Sequence, residues 1–536
     1  MLSSRTTTPP ELLVQARRVR TLDPDRPAEA FADAVLLRHG RIAAVGRRDA
    51  LRAAAPGAPL LDLGGSVLTP GFTDAHIHLT EWALARHEVT LDEADTPAEA
   101  AALAAAGRPG AGGWIRGRGW NPHRWGGAYP AAGVLDAAVG DGLVALQSHD
   151  MHALWVSGAA LARAGIHAGT PDPPGGRIVR GADGAPTGVL LEHAGQLVTA
   201  CIPTPASGAL ADAVVEAQAA LHRLGITGVH SLPGLAVPEP DPLPVLTALR
   251  AEGRLALRVL QHIRLERLDA ALALGLRSGF GGGGIRIGAV KYFLDGALGS
   301  RTAWMRAPYE GATDVGVRMY ETADLRGHVA RAAAGGLAAV VHAIGDAAVA
   351  QALDVLGDPA LRVAALPHRI EHVQCCPPER LADAGRLGVV CSVQPAHLCT
   401  DWRVVDGHWG AARARGTYAF RSLAAGGAVL AFGSDAPVEP VDPRLALHAA
   451  LTRTDRTGQP QGGWQPGERL DRLAALLAYT AGPAYAAGAA GVEGVIRPGA
   501  RADLAAWSAD PLDGEVAPLE LACRAVLVDG AVAWRD

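Results

Sequence analysis

The sequence predicts an α/β protein built on a (β/α)8 barrel, with a smaller β domain made from both ends of the chain. Between residues 69 and 487, short β-branched and apolar runs alternate with helical stretches rich in Ala, Leu and Arg. This alternation is typical of a parallel sheet with crossover helices. Eight of the runs qualify as strands, which is the number that closes such a barrel.

The eight predicted strands are unevenly spaced along the chain. They are Thr69–His76, Gly225–Ser231, Leu255–Ile263, Ile285–Leu294, Leu337–Ile344, Arg369–Gln374, Val389–Gln394 and Ala428–Gly433. About 150 residues separate the first strand from the second, far more than one helix and two short loops require. The spacing therefore predicts a large insertion after the first strand, at about residues 80–215.

Both chain ends have the pattern of an antiparallel sheet. From Leu12 to Leu68, short apolar segments of alternating polarity are separated by Pro, Gly and Asp. Near the carboxyl terminus, Asp529-Gly530 lies between two apolar runs and is typical of a hairpin turn. We expect residues 1–68 and 488–536 to form one composite β-sandwich, with the barrel and its insertion at residues 69–487.

The composition excludes several classes of partner. The 536 residues carry a formal net charge of −5, and one lysine stands among 49 basic residues, whose arginines are scattered. The sequence therefore predicts no basic patch for binding nucleic acid. It also contains no run of 18 or more apolar residues, the length that a membrane-spanning helix requires. A small-molecule partner is expected, and whether the chain forms a homo-oligomer stays open. The amino-terminal residues lack the apolar core of a secretory signal, which favours a cytoplasmic location.

Several predicted strands end in side chains that bind metals. His76 and His78 are two residues apart on the first strand, so both point to the same face. An HxH pair alone is a weak signal, because such histidines are often simply hydrogen-bonded. Three further strands end in His342, His372 and Asp435, and barrel active sites lie at the carboxyl ends of strands. This agreement predicts a metal site at the barrel mouth.

The single lysine, Lys291, lies on the fourth strand at the same level. An ammonium group would be repelled by a divalent ion, but a neutral amine can take up carbon dioxide and form a carbamate that bridges two ions. Arginine cannot do this, because its guanidinium does not lose its proton in proteins. We therefore predict N6-carboxylated Lys291 between two divalent ions. Imidazole and carboxylate ligands suit zinc, with manganese and iron left open; an ion pair with Asp295 is the alternative for Lys291.

The insertion is expected to supply walls of a substrate cleft. Trp120, Asp150, His152 and Trp155 are predicted to contact substrate, and Arg301, after the fourth strand, to hold a substrate carboxylate. Two alternatives stay open. The tryptophans would instead fill the core of the insertion, and Arg301 would brace its loop.

The order HxH, Lys, His, His and Asp resembles the metal site of the amidohydrolase superfamily. The chain is similar to its amidohydrolase family 3, the YtcJ-like branch that includes N-substituted formamide deformylases, from about Val14 to Trp534. The matching segments are TPGFTDAHIHL, SHDMHALWVS, TPDPPGGRIVRGADGAPTGVL, VKYFLDGALGSRTA, VHAIGDAAV, RIEHVQ, SVQPAHLCTD and FGSDAPVEP. The resemblance implies the same barrel and composite sandwich.

The resemblance also implies roles for the six predicted ligands. The HxH pair would hold one ion, His342 and His372 the other, carboxylated Lys291 would bridge them, and Asp435 would bind a metal and act as the base. The implied activity is hydrolysis of an amide-type C–N bond, in an N-formyl, N-acyl or cyclic amide, by a metal-activated hydroxide. A deaminase with one metal and a non-catalytic relative of the same fold are the alternatives, and Lys291 argues against the deaminase.

Overall fold

The computed structural model describes residues 10–23, 25, 31–204, 206–234 and 241–536. Eight parallel strands form the barrel, and we number them β1 to β8 in chain order: Phe72–Ile77, Ile226–Ser231, Arg258–Arg264, Ile285–Phe293, Ala339–Ala343, Arg369–His372, Val390–Val393 and Leu430–Phe432. Each strand pairs with the next one along the chain. The predicted fold class, a (β/α)8 barrel with a composite sandwich and an insertion after the first strand, is confirmed.

The predicted first strand, Thr69–His76, is divided between two sheets. Val67–Pro70 pairs with a strand of the sandwich, and β1 begins at Phe72 in the barrel. Gly71 separates them, and a Cβ atom added there would lie 2.2 Å from Cγ2 of Thr227 on β2. The chain passes from one domain to the other where no side chain fits.

The barrel closes where β8 meets β1. The backbone N–H of Asp435 donates to the carbonyl oxygen of His76 at 2.7 Å. The Asp74 carboxylate on β1 accepts from the backbone N–H of His76 at 3.0 Å, and from the N–H and hydroxyl of Ser434 at 3.0 and 2.6 Å. A Cβ atom on Gly433 would lie 2.4 Å from the backbone nitrogen of His76. The two strands therefore approach more closely than a side chain at position 433 would allow.

Helices surround the barrel and bury one face each. In Ser207–Arg223, Leu210, Val214, Ala217 and Leu221 recur at helical spacing and are fully buried. Asp241 and Asp442 cap two of the helices, each of which starts with proline. The helices of the barrel are Leu79–Ala85, Ser207–Arg223, Pro242–Ala251, Leu268–Ala273, Thr322–Ala334, Asp346–Leu356, Asp383–Leu387, His397–His408, Gly410–Ala414, Phe420–Ala425, Pro443–Thr452, Arg472–Tyr479 and Ala481–Ala486. Among the described residues, no helix combines the length and apolarity needed to cross a membrane.

Strands from both chain ends form two further sheets. One contains Arg41–Gly46, Ala34–Arg38, Glu11–Gln15 and Leu60–Asp62, and the other Arg18–Val19, Val67–Pro70, Leu504–Trp507, Cys523–Val528 and Ala531–Arg535. Val14, Val35, Leu68, Leu504 and Leu527 pack together in one apolar cluster between them. The helix Arg48–Ala54 packs on the first sheet. The boundaries 1–68 and 488–536 stay a prediction, and residues 1–9, 24 and 26–30 lie outside the described residues.

The insertion forms a six-stranded sheet of its own. Its strands, in spatial order, are Gly176–Arg180, Pro186–Glu192, Ala153–Val156, Leu143–Ser148, Trp114–Trp120 and Val89–Thr90. Helices Pro97–Ala106, Ala132–Val139, Gly158–Arg163 and Gln196–Thr199 lie around it. Leu146 and Trp155 belong to one apolar cluster of this sheet, and Leu154 and Leu190 to another. The insertion thus has its own core and touches the barrel mouth, where Arg118 Nη1 donates to the Pro437 carbonyl at 3.0 Å.

An ion cluster joins the barrel to the sandwich. Arg258 on β3 pairs with the carboxylates of Asp503 and Asp529, with 2.9 Å between its Nη2 and Oδ1 of Asp503.

We predict that Arg258→Met lowers the free energy of unfolding by about 3 kcal/mol, because the largely buried Asp503 then lacks its cation. Denaturant unfolding measures the change. The exposed Arg254, changed to Met, is the control and should leave the midpoint in place; equal midpoints for the two variants would contradict the prediction.

Candidate metal centre

The six predicted ligands meet at the carboxyl ends of the barrel strands. All are buried, and all line one cavity between the barrel mouth and the insertion: His76, His78, Lys291, His342, His372 and Asp435. The parallel register sets their levels, since His342 on β5 lies opposite Glu371 on β6, one residue before His372. The cavity is where a small molecule can reach these side chains.

Asp435 lies against both histidines of the HxH pair. Its Oδ1 is 3.1 Å from Nε2 of His76 and 3.0 Å from Nε2 of His78. Ligand atoms about 2.1 Å from a tetrahedral ion lie about 3.4 Å apart. The two contacts of Asp435 are slightly shorter than this, and the three ligand atoms all lie within 4.8 Å of one another, as a group that could hold an ion. Burial alone would raise the pKa of Asp435, but the two imidazoles hold it well below its usual value.

Each of the four histidines donates one ring N–H to an acceptor of the protein. The pairs are His76 Nδ1 with Glu371 Oε2 at 2.5 Å, His78 Nδ1 with the Leu232 carbonyl at 3.1 Å, His342 Nε2 with the Gly296 carbonyl at 3.0 Å, and His372 Nδ1 with Gln394 Oε1 at 2.8 Å. Because a carbonyl or amide oxygen accepts, the opposite ring nitrogen of His342 and of His372, whose pKa values are lowered by burial, keeps its lone pair. His78 differs: burial alone would lower its pKa, but the Asp435 carboxylate, 3.0 Å from its Nε2, raises it. Metal-binding histidines are oriented by ring N–H hydrogen bonds of this kind.

These donors fit a divalent ion. His76 Nε2 is buried and makes no hydrogen bond, although Asp435 Oδ1 is 3.1 Å away; this is unusual for a buried ring nitrogen. Burial lowers the pKa of His342 and His372 well below the usual value, so both rings are neutral, the form that binds metals. The neutral rings of His342 and His372 provide lone pairs and the ionised Asp435 provides negative charge, and this combination suits a divalent cation.

The second pair of predicted ligands is less tightly grouped. The ring centres of His342 and His372 are 4.6 Å apart. Within the described ranges, His342 belongs to no group of three residues whose ligand atoms all lie within 4.8 Å of one another. Such a group is instead formed by His372, His397 and Asp435.

Lys291 is buried in the same cavity, with its Nζ 4.6 Å from the centre of the Phe293 ring. Burial lowers the pKa of Lys291 to about 8, with the carboxylates of Glu371 and Asp435 opposing that shift. A neutral amine is therefore accessible near neutral pH, which carboxylation requires. Asp295, the alternative partner, instead accepts the backbone N–H groups of Trp304, Ile344 and Gly345 at 2.9, 3.1 and 2.8 Å.

Three of the five predicted substrate contacts line the cavity and two do not. Trp120, Asp150 and His152 line the cavity. Trp155 is fully buried in the core of the insertion, and its Nε1 donates to the Ala131 carbonyl at 3.1 Å. Arg301 lines a neighbouring cavity, and its Nε donates to Nε2 of His408 at 3.2 Å. Trp120 both lines the cavity and packs in the core of the insertion, where the ring of Trp125 is stacked on it at 5.9 Å between ring centres.

His152 adds a cationic donor to the cavity. Its Nδ1 donates to Oε2 of Glu192 at 2.8 Å, and the Thr302 hydroxyl donates to the other oxygen of Glu192. Burial alone would lower the pKa of His152, but the Glu192 carboxylate raises it to about 9. At neutral pH the ring is an imidazolium, and its centre lies 5.8 Å from that of His342.

Two side chains at the centre escaped sequence reasoning. His397 begins the helix after β7; its Nδ1 accepts from Nε2 of Gln374 at 3.2 Å, and its Nε2, buried and unpartnered, is 3.6 Å from Oδ2 of Asp435. It lies beyond the end of its strand, so the strand-end rule does not find it. Glu371 is fully buried. The sequence pattern that could have indicated it is an Arg and a Glu two residues apart inside an apolar strand. Side chains at this spacing lie on the same face of the strand.

Known families and proteins are similar to this chain over most of its length. A family model described as "Amidohydrolase family" matches residues 60–533, and one for an imidazolonepropionase-like composite domain of bacteria matches residues 34–58. "Putative amidohydrolase YtcJ" of Bacillus subtilis (strain 168) is 30% identical over 511 residues, which cover 94% of this chain and 96% of that protein. "N-substituted formamide deformylase" of Arthrobacter pascens is 30% identical over 561 residues, which cover 98% of both chains.

A solved structure shows the same fold. The crystal structure of an uncharacterized metal-dependent hydrolase from Pyrococcus horikoshii OT3 superposes with a TM-score of 0.76 at 27% sequence identity, covering 95% of this chain and 99% of that one. The family match extends over most of the chain, so the resemblance predicted from the sequence motifs is confirmed. The chain belongs to the amidohydrolase family.

Proposed function

We propose that the protein is a metal-dependent hydrolase that cleaves an amide-type C–N bond, in an N-formyl, N-acyl or cyclic amide. The observation that carries the proposal is the convergence of neutral imidazoles and the ionised Asp435 in one cavity. The similarity to an N-substituted formamide deformylase supports this class of bond. A small molecule with apolar groups suits the cavity, whose wall also includes apolar side chains such as Phe293, Leu298 and Val438.

The proposed cofactors are two divalent ions, zinc by the character of the ligands. His76, His78 and Asp435 would hold one ion, His342 and His372 the other, and Lys291, carboxylated on Nζ, would lie between them. The hydrogen bonds that orient the four imidazoles, the neutral rings of His342 and His372 and the lowered pKa of Lys291, about 8, support this arrangement. When bound, such ions polarise a carbonyl group and lower the pKa of water.

Asp435 is the proposed general base. Its carboxylate is ionised, and its Oδ2 faces the unpartnered Nε2 of His397 at 3.6 Å. From this position it would take a proton from the attacking water and pass it to the leaving nitrogen. Its backbone is anchored by the bond from its N–H to His76, so the carboxylate is held at the cavity floor.

His397 is the proposed hydrogen-bond donor to the reacting amide. Because Nδ1 accepts from Gln374, the proton is on Nε2, which is buried at the cavity wall and has no protein partner. A fixed donor aimed at an oxygen where negative charge develops stabilises the transition state. The imidazolium of His152 is a second donor from the insertion, and it would orient the rest of the substrate.

The proposed activity is tested by screening the zinc-loaded protein for hydrolysis of formamides, N-acyl amino acids, cyclic ureides and lactones. We expect turnover of at least one amide. With that substrate, Asp435→Asn should lower kcat by about 10²–10⁴-fold, because the amide cannot accept the proton. The metal content of each sample is measured in parallel. Release of ammonia from an aminated ring, with one ion per chain, would favour the deaminase instead.

Replacing the lysine tests the carbamate. Lys291→Ala should lose bound metal and activity together, because the bridging carboxylate is gone. Elemental analysis gives the ions per chain, with two expected for the natural protein. Added acetate or propionate should partly restore both properties in the variant by occupying the vacated position. A Lys291→Ala protein that keeps its metal and its turnover would refute the assignment.

Replacing His397 tests its role as a donor. His397→Ala should lower kcat by about 10²–10³-fold while KM and the metal content stay close to those of the natural protein. Steady-state kinetics and elemental analysis measure these quantities. Arg403→Gln, on the exposed face of the same helix, is the matched control and should leave kcat unchanged. If His397→Ala instead loses an ion, His397 is a metal ligand and not a donor.

A further inference from the structure

A buried ion pair lies directly beneath one of the proposed ligands. Arg369 and Glu371 are two residues apart on β6 and so face the same side; they are 1% and 0% exposed. Arg369 Nε donates to Oε1 of Glu371 at 2.5 Å, and its Nη2 donates to Oε2 at 3.0 Å. The same Oε2 accepts from Nδ1 of His76 at 2.5 Å. Arg369, Glu371 and His76 thus form a continuous chain that ends at a metal-facing nitrogen.

Arg369 is fixed by three other strands of the barrel. Its Nη2 donates to the Ala75 carbonyl on β1 at 2.6 Å and to the Ser392 hydroxyl on β7 at 3.0 Å, and its Nη1 donates to Nδ1 of His230 on β2 at 2.8 Å. A guanidinium keeps its charge in proteins and offers donors in a rigid fork. Glu371 is therefore held in one orientation by a cation that is itself bonded to β1, β2 and β7.

The acceptor of His76 differs in charge from those of the other three histidines. His78 and His342 donate to backbone carbonyls, and His372 donates to the side-chain amide of Gln394. At the ring nitrogen turned away from Asp435, His76 alone among the four donates to a carboxylate; the carboxylate that His78 Nε2 faces, Asp435, is itself a proposed ligand. A charged acceptor strengthens the hydrogen bond and increases the electron density on the opposite ring nitrogen, which makes that nitrogen a stronger metal ligand.

We propose that Glu371 is a positioning residue for the metal centre: held by Arg369, it fixes the proton of His76 on Nδ1 and makes Nε2 the strongest imidazole ligand. As a consequence, the ion held by His76, His78 and Asp435 is the more tightly bound of the two. The inference rests on the metal assignment in the proposed function. Glu371 is then the side chain that makes the protein's affinities for the two ions differ.

The test is Glu371→Gln, which keeps the shape of the side chain and removes its charge. Metal-free protein is titrated with Co²⁺ and with Zn²⁺ in competition with a chelator. The affinity for the first ion should fall roughly 10–100-fold, and the visible absorption spectrum of the first Co²⁺ should change. Glu439→Gln is the matched control. Glu439 is a buried carboxylate of the same cavity that pairs with His149 and accepts a hydrogen bond from Thr400. Its replacement should change neither the affinity for the first ion nor the Co²⁺ spectrum.

A second variant covers the case in which an unpaired Arg369 prevents folding. Arg369→Met with Glu371→Gln removes both charges together, a replacement that buried ion pairs often tolerate. Its first ion should be bound as weakly as in Glu371→Gln, while circular dichroism shows the fold intact. Natural affinity and an unchanged Co²⁺ spectrum in a folded variant would overturn the inference. A natural protein that binds no divalent ion would instead overturn the proposed function, so the two failures are distinguishable.

Discussion

The centre depends on the closure of the barrel between its first and last strands. His76 and Asp435 are 359 positions apart in the chain, yet a backbone hydrogen bond of 2.7 Å joins them. The Asp74 carboxylate ties β1 to Ser434, and Gly433 lets the two backbones approach. Burial raises the pKa of Asp74 to about 6, against the effect of these hydrogen bonds. Without this seam between β1 and β8, the HxH pair and the proposed base would not share a site.

Beneath this seam, orientation is provided by acceptors that are not themselves ligands. Every predicted histidine ligand has one ring nitrogen hydrogen-bonded to an oxygen of the protein, which fixes the orientation of its ring. Three of these oxygens are neutral, and the fourth is the carboxylate of Glu371. A preorganised donor set of this kind avoids the reorganisation that binding would otherwise require. Residues inside and around the barrel therefore fix the orientation of the histidine side chains at its mouth.

The single lysine and the buried arginine illustrate how the chain uses its cations. Arg369 provides a permanent charge with several hydrogen-bond donors. It bonds to Glu371 on its own strand, β6, and to residues on β1, β2 and β7. Lys291 lies beside the proposed ligands, where a permanent charge would repel the proposed divalent ions, and burial lowers its pKa to about 8. Only an amine can become neutral there and react with carbon dioxide. The composition of the chain and the chemistry of its centre agree on this position.

The sequence alone determined the fold class and the strand ends that meet at the cavity, because strand periodicity is local and parallel strands of a barrel all end at one rim. It could not place Trp155 in the core of the insertion or turn Arg301 toward His408, since both depend on how the insertion packs. Nor could it bring His397 to Asp435 or set Glu371 beneath His76. These contacts cross between strands and loops, and only the register and closure of the folded barrel bring such side chains within hydrogen-bond distance.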